Sequence, residues 1–478
     1  MNDTTSQKSS SSPPSSPPSA KGRPRKISLY EKHKKIYIRP VQGWWATWRW
    51  VFVWGTQLVF FGLPWLQWNE RQAILFHLVE RKFYLFGMVL WPQDVFYLTV
   101  LLIISAYALF LFTAVAGRLF CGYACPQTVY TEIFMWIEHK LEGDRTAQIK
   151  LDTGPRDVRR LRLKITKHGL WLLFSLWAGF TLVGYFTPIR ELLANAGTFS
   201  FGGAELFWIF FYAGFTYLMA GFMREQVCKY MCPYARFQSV MFDPDTLIVT
   251  YDKERGEPRG VRRKNADNSG LGDCVDCNIC YQVCPTGIDI RNGLQYECIG
   301  CGACIDGCDE VMGRLGLSKG LVRYTSENAL AGKHGRTGLA SHILRPRILL
   351  YMTLLAIVIG AAIWSLATRV PLRVDLIRDR SILAREVEGR IENLYIMRVM
   401  NISEAPRQFS IRVSGIEGIA LVSDAQVTTA AAENHEATVS VRVPPDAAKK
   451  GVYKIFFEIV AEDDPKVAVR EKTTFIMP

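Results

Sequence analysis

Five stretches of this chain run 18 to 23 residues without a single charge: 50–68, 95–117, 169–187, 206–223 and 348–368. A helix needs about 20 apolar residues to cross the hydrocarbon core of a bilayer. Helices of soluble proteins average about 10–14 residues, and a set of five such apolar runs in one soluble core would be exceptional. The pattern therefore predicts five transmembrane helices. The overall hydrophobic share of 49% conceals this, because it is ordinary for a soluble enzyme and only its segregation is unusual.

Basic residues orient the helices. Eight Lys and Arg lie between Lys21 and Arg39, and ten between Arg118 and Lys167, after the second apolar run. Both regions are expected in the cytoplasm. The connection 188–205 holds Arg190 as its one basic residue and is expected outside. Five crossings then put the segment between the fourth and fifth helices inside and everything after the fifth outside. The net charge of +13 obeys this map: from Arg369 onward 16 basic residues meet 16 acidic ones, so the excess belongs to the first 368 residues. Topology accounts for it, and nucleic acid is excluded as a partner. The chain opens on a Ser/Pro-rich tail too polar to form a core, with no apolar segment and cleavage site of a signal peptide. Residues 71–91 mix apolar clusters with Arg71, Glu80, Arg81 and Lys82, and are expected to lie on the outer membrane surface.

All twelve cysteines fall between Cys121 and Cys308, which points to local reduced-thiol chemistry rather than a disulfide framework. Four of them form a repeat. Cys121-Gly-Tyr-Ala-Cys125-Pro126 and Cys228-Lys-Tyr-Met-Cys232-Pro233 both read C-x-Y-x-C-P, at an offset of 107. Cysteines at i and i+4 share a helix face, so two hairpins side by side would converge Cys121, Cys125, Cys228 and Cys232 at one depth. Soft thiolates suit Cu(I), zinc or iron–sulfur centres. Single cysteines in membrane helices are usually inert packing, and the spacing alone does not say what these four bind.

The remaining eight carry the strongest signal. Cys274, Cys277, Cys280 and Cys284 are spaced 2, 2 and 3 residues apart, and Cys298, Cys301, Cys304 and Cys308 repeat the spacing. Bacterial two-cluster ferredoxins use this run, with the fourth cysteine of each quartet reaching across to the other cluster. Cluster one would take Cys274, Cys277, Cys280 and Cys308, and cluster two Cys298, Cys301, Cys304 and Cys284. Pro285 follows the first quartet, while after the second quartet Asp309 stands where the motif would place proline and is expected to relax the turn after the last ligand. Zinc is the competing reading of CxxC pairs, and the doubled quartet is far more specific than a zinc pair. Gly287, Gly293, Gly300, Gly302, Gly307 and Gly313 fit a small module whose backbone turns tightly around clusters.

From about residue 370 the pattern becomes alternating, with strands expected at 393–402, 409–413, 437–443, 453–460 and 472–477, separated by Gly and Pro turns. An all-β sandwich of immunoglobulin-like size is expected, without a catalytic cluster. His435 reads as a surface residue, and Met397 and Met400 as core residues before metal ligands. The chain as a whole reads as an α-helical polytopic membrane protein with an inserted bacterial two-cluster ferredoxin-like module and a C-terminal all-β immunoglobulin-like sandwich. Its expected parts are a disordered basic tail at 1–42, a four-helix membrane domain at 43–242, the ferredoxin-like module at 243–340, the fifth helix at 341–369 and an exterior domain at 370–478.

Residues 120–139 (FCGYACPQTVYTEIFMWIEH), 224–238 (REQVCKYMCPYARFQ) and 284–312 (CPTGIDIRNGLQYECIGCGACIDGCDEVM) carry a resemblance. After the tail, the chain resembles the CcoG/FixG/RdxA family of cytochrome c oxidase accessory proteins. The resemblance implies a bacterial inner-membrane protein with two 4Fe-4S clusters that reduces Cu(II) to Cu(I) at the cytoplasmic face. Copper would be substrate or transient ligand, at or near Cys121, Cys125, Cys228 and Cys232. The implied partners are a copper-exporting P-type ATPase and cbb3-type oxidase assembly factors, and homo-oligomerisation stays open. Two other readings compete: a quinol dehydrogenase subunit feeding an exterior reductase, and a non-enzymatic redox-sensing scaffold. No Rossmann fingerprint, flavin motif or haem-attaching CxxCH names the electron donor.

Overall fold

In the computed structural model, which describes residues 35–262, 270–332, 344–379 and 384–478, each charge-free run contributes a helix. These are α1 (Trp44–Gly62), α2 (Val95–Ala116), then α3 (Pro126–Glu142) outside the set, α4 (Val158–Val183) and α5 (Gly203–Thr216), which continues as a π-helix over Tyr217–Met223. The iron–sulfur candidate region supplies α6 (Ala303–Arg314), and the last apolar run is α7 (Pro346–Ala367). The tail expected at 1–42 falls largely outside the described residues, as do 263–269 and 333–343.

Among the described residues, three segments are by themselves long and apolar enough to cross a membrane: Pro92–Ala116, Gly203–Met223 and Pro346–Ala367. The other two carry charge for identifiable reasons. Helix α1 begins six residues earlier than its apolar run and so includes Arg49, which is buried and ion-paired with Glu132 of α3. It ends at Gly62 and tightens into a 3-10 turn over Leu63–Trp65, in which Leu63 is still helical (φ −55°, ψ −40°) and Pro64 supplies no N–H to continue the ladder. Helix α4 begins with Arg159, Arg160, Arg162, Lys164 and Lys167 before its apolar half. Lys167 pairs with Glu138 at 3.2 Å and Glu142 at 2.9 Å on α3.

The helices share two opposite ends. At one end Tyr185 Oη donates to Phe60 O (2.9 Å), and Arg369 and Arg373, which follow α7, clamp Asp94 at the start of α2. At the other end Arg345, before α7, pairs with Asp243 at 2.7 Å, and Thr246 Oγ1 donates to Ala114 O at the close of α2 (3.1 Å). The cysteine-rich module sits at this second end, tied by an antiparallel pair of strands, Ile248–Tyr251 and Val322–Thr325.

The sandwich lies at the first end. Its larger sheet orders Ala420–Leu421, Asn434–Val443, Arg390–Asn401 and Leu372–Arg378, with Arg385–Val387 also on Arg390–Asn401. The smaller orders Gln426–Thr429, Arg407–Ser414, Gly451–Ala461 and Ala468–Met477. Each of the five expected strands lies within or across an observed one. The missed strands are mostly short or on an edge, where alternation has too few residues to register. Tyr395, Phe409, Phe457 and Phe475 fill the core, with Tyr395 and Phe457 edge-to-face at 5.3 Å. His435 is exposed and Met397 is core.

Residues 71–91 differ from expectation. They fold as a small antiparallel sheet of Ile74–His77, Lys82–Leu85 and Met88–Leu90, whose Val89 bury with Trp91 against Met400 and Ile402 of the sandwich. Arg71 pairs with Glu404. The segment's apolar residues thus have a protein partner at hand.

Glu392 is buried in the sandwich, bonded by Arg385 and by Arg442 Nε at 2.6 Å. Burial alone raises its carboxyl, and the two guanidinium groups outweigh this and hold it below the usual glutamate value. A depressed carboxyl contributes stability above its unfolded pKa and loses it as pH falls through the folded one. Glu392→Gln is expected to lower the melting temperature of the detergent-solubilised protein by several degrees at pH 7, with the deficit shrinking below about pH 4; thermal scans at both pH values check this.

Candidate functional site

The eight clustered cysteines fall into two overlapping neighbourhoods, with Cys280 near both. Cys308 lies in the electrostatic reach of Cys280, Cys277 and Cys274. Cys304 lies in that of Cys301, Cys298 and Cys284, with Cys280 next. A cavity is lined by Cys284, Cys298, Cys301 and Cys304, together with Cys280 and an apolar wall that includes Val249, Ile288, Ile290 and Ile299. Among the described residues, no three His, Cys, Asp or Glu side chains converge closely enough to hold one metal ion. Thiols spread around a cavity suit a cube of irons and sulfides, whereas zinc draws its four ligands to about 2.3 Å from one point.

Burial pushes Cys298 and Cys308 up to about 12, and Cys304 well above the ordinary thiol value. Such thiols shed their protons to a metal centre rather than to water. The donor set thus fits iron–sulfur clusters. Gly300 (φ 66°) and Gly302 (φ 74°) let the backbone turn on either side of Cys301, and a side chain on Gly302 would strike Trp45 at 2.7 Å. Thr286 Oγ1 lies 3.3 Å from Cys284 Sγ. Asp309 does not loosen a turn: it continues α6, and its carboxylate accepts from Gly320 N–H at 2.8 Å. Without proline nothing stops the helix there.

The paired membrane-end cysteines depart from the single helical turn expected of them. Proline excludes its predecessor from helical geometry, so Cys125 (φ −64°, ψ 127°) and Cys232 (φ −78°, ψ 110°) are extended, and Pro126 and Pro233 open new helices. Cys121 lies on the short helix Leu119–Tyr123 and Cys228 on the π-turn Val227–Met231. The repeat survives in the backbone. Cys125 N–H donates to Phe120 O (3.1 Å) and Cys232 N–H to Val227 O (2.8 Å), each five residues back. Gly117 and Arg224, again 107 apart, both have positive φ, 58° and 42°. Arg224 lacks glycine's freedom and is held by Glu138 (2.8 Å) and Gly221 O (3.0 Å).

The four thiols share one neighbourhood without closing on a single point. Cys228 feels the charges of Cys125, Cys121 and Cys232, and Cys121 those of Cys125 and Cys232. Burial pushes Cys121 up to about 11 and Cys228 up to about 12. Cys121 Sγ is 3.5 Å from the Oε1 of fully buried Gln238. The first motif rests on the second cysteine quartet. Cys121 packs on the cluster of Val283, Ile299, Cys301 and Ala303, and Tyr123 Oη donates to Cys301 O at 3.1 Å. Arg118, Tyr123, Gln238 and Thr286 were not singled out from the sequence, because their role depends on which segments meet.

A helical membrane domain carrying a two-quartet cysteine module defines an iron–sulfur electron-transfer membrane protein. Residues 223–327 match the family model described as a 4Fe-4S dicluster domain, 98–143 one described as a 4Fe-4S binding domain, and 362–478 the "IG-like fold at C-terminal of FixG". The chain is 35% identical to "Nitrogen fixation protein FixG" of Rhizobium meliloti, over 84% of this chain and 83% of that one. It is 36% identical to "Protein RdxA" of Cereibacter sphaeroides, over 91% and 92%. "Ferredoxin-type protein NapH" of Haemophilus influenzae is 30% identical over 44% of this chain and 66% of its own. The chain belongs to the FixG/RdxA family.

A Cβ on Gly122 would stand 2.9 Å from both Cys301 Cα and Ile299 O. Gly122→Ala is expected to cost about 1–3 kcal/mol through overpacking and to lower iron retained per chain. Gly169→Ala, with nothing within 4 Å of the added carbon, should leave iron unchanged; iron analysis of both purified variants decides.

Proposed function

We propose that the protein reduces Cu(II) to Cu(I) at the cytoplasmic face of the bacterial inner membrane, for a copper-exporting P-type ATPase and the assembly of cbb3-type oxidase. The observation that carries this reading is the meeting of two cysteine sets: Cys121 of the four membrane-end thiols packs against the apolar cluster that contains Cys301 of the second quartet and its neighbour Ile299. Cys274, Cys277, Cys280 and Cys308 would hold one cluster, and Cys298, Cys301, Cys304 and Cys284 the other. These clusters supply one-electron transfer. Cu(II) gains one electron and becomes Cu(I), which prefers thiolates to the N and O ligands of Cu(II). Cys121, Cys125, Cys228 and Cys232 retain the reduced ion, and each thiol that binds gives up its proton. The loop of basic residues between Arg118 and Lys167 supports the cytoplasmic placement.

A second reading has a specific observation behind it. The match of 98–143 to a 4Fe-4S binding domain covers Cys121 and Cys125, which favours an electron-transfer subunit whose four membrane-end thiols hold a further iron–sulfur centre. One variant separates the two. Under copper reduction, replacing Cys121, Cys125, Cys228 and Cys232 together by Ser keeps iron near eight atoms per chain, about four per cluster, and abolishes Cu(I) retention with at least a tenfold slower reduction of added Cu(II). Full activity in that variant would refute the copper site. Loss of about a third of the iron would establish the second reading.

A further inference from the structure

Arg118 is 4% exposed, yet among the described residues no carboxylate lies within ion-pair distance of it. Other deeply buried cations nearby are matched: Arg49 by Glu132, Lys167 by Glu138 and Glu142, Arg291 by Asp276 and Asp289. Two of its nitrogens donate to Tyr296 O and Ala235 O, which tie the first cysteine motif to the second quartet's loop and to the helix Pro233–Met241. Its Nε–H is buried without a partner. Burial works against the guanidinium charge, and the groups that oppose burial are, in order, Cys121, Cys298, Cys228 and Cys232. Its backbone abuts the loop between Cys298 and Cys301, where a Cβ on Gly300 would stand 3.1 Å from Arg118 C, and an unpaired buried cation is costly, so the charge it answers is that of the neighbouring sulfurs.

We propose that Arg118 is the counter-ion of the sulfur-rich junction, a positioning residue that raises the reduction potential of the cluster held by Cys284, Cys298, Cys301 and Cys304 above that of its neighbour. The inference rests on reading the eight cysteines as cluster ligands. A cube with four thiolates is doubly negative and becomes triply negative on reduction, so a fixed cation beside it favours the reduced form. Net charge and hydrogen bonds to sulfur are the terms that set such potentials, and the unpartnered Nε–H supplies a donor. Thiols of the other group, Cys274, Cys277, Cys280 and Cys308, are not among the strongest influences on Arg118. An electron shared between the two clusters would therefore rest on the one beside the membrane-end thiols.

The test is an anaerobic titration of the whole protein in detergent with dithionite as one-electron reductant, followed by EPR. No copper is added. Wild type, Arg118→Gln and Arg118→Lys are compared, with Cys298→Ser assigning the signals. In Arg118→Gln the ratio of second-cluster to first-cluster reduction by a single electron should fall at least tenfold, a downward shift of about 60 mV at 59 mV per decade. The other cluster should titrate as in wild type, and Arg118→Lys, which keeps the charge, should recover most of the shift. Equal potentials in Gln and wild type, equal shifts of both clusters, or a Lys variant displaced as far as Gln would overturn the proposal. If the Gln variant loses a cluster, the Lys variant decides: a wild-type potential upholds the proposal and a lost cluster refutes it. Wild-type protein without iron would instead sink the cluster reading itself.

Discussion

The contact on which the rest depends is a backbone approach between two segments 178 residues apart, marked by Tyr123 Oη on Cys301 O. Gly122 leaves no space for a side chain there, and Asp306 of α6 completes the seat by accepting from the N–H groups of Trp45 and Ala46 (3.3 and 2.8 Å) at the start of α1. Those N–H groups have no partner inside their own helix. The cysteine module therefore caps the start of α1, and the first cysteine motif in turn supports the loop that carries Cys298 and Cys301.

Electrostatics follow from this seat. Twelve thiols lie in one region, and burial alone makes a bare thiolate costly at most of those whose shift is resolved. Metal centres remove that cost by replacing the proton. Carboxylates and bases pair among themselves on the flank, with Glu138, Glu142, Lys164, Lys167 and Arg224 forming a buried network beside the second motif. Arg118 stands apart from that network, with its guanidinium on the carbonyls of Tyr296 and Ala235. The far end of the helices is organised differently, by ion pairs of Asp94 with Arg369 and Arg373 and by apolar packing of the small sheet on the sandwich.

Much of the fold was legible because its signals are periodic. Charge-free runs announce helices, the alternation over 393–402 and 453–460 announces the two central strands, and the 2, 2, 3 spacing announces crossed ligand sets. The errors arose where one residue acts on its neighbour or on a distant segment. Pro126 and Pro233 take Cys125 and Cys232 out of the helix, a local rule outweighed in the reading by the i, i+4 pattern. The start of α1 at Trp44 could not be located, since its cap is Asp306, 260 residues from Ala46. The sheet within 74–90 was read as a surface segment because its apolar partners, Met400 and Ile402, belong to another domain.

By itself the sequence determined what chemistry the chain carries: twelve thiols in two classes, apolar lengths that require a bilayer, and a basic excess confined to the membrane and cluster region. These depend on residue type and spacing along the chain, which covalent order supplies. Tertiary structure decided which thiols stand together, that the first motif rests on the second quartet rather than the first, and that among the described residues no carboxylate pairs with Arg118. These depend on distances between segments more than a hundred residues apart, and only the packing of the helices and the module brings such segments into contact.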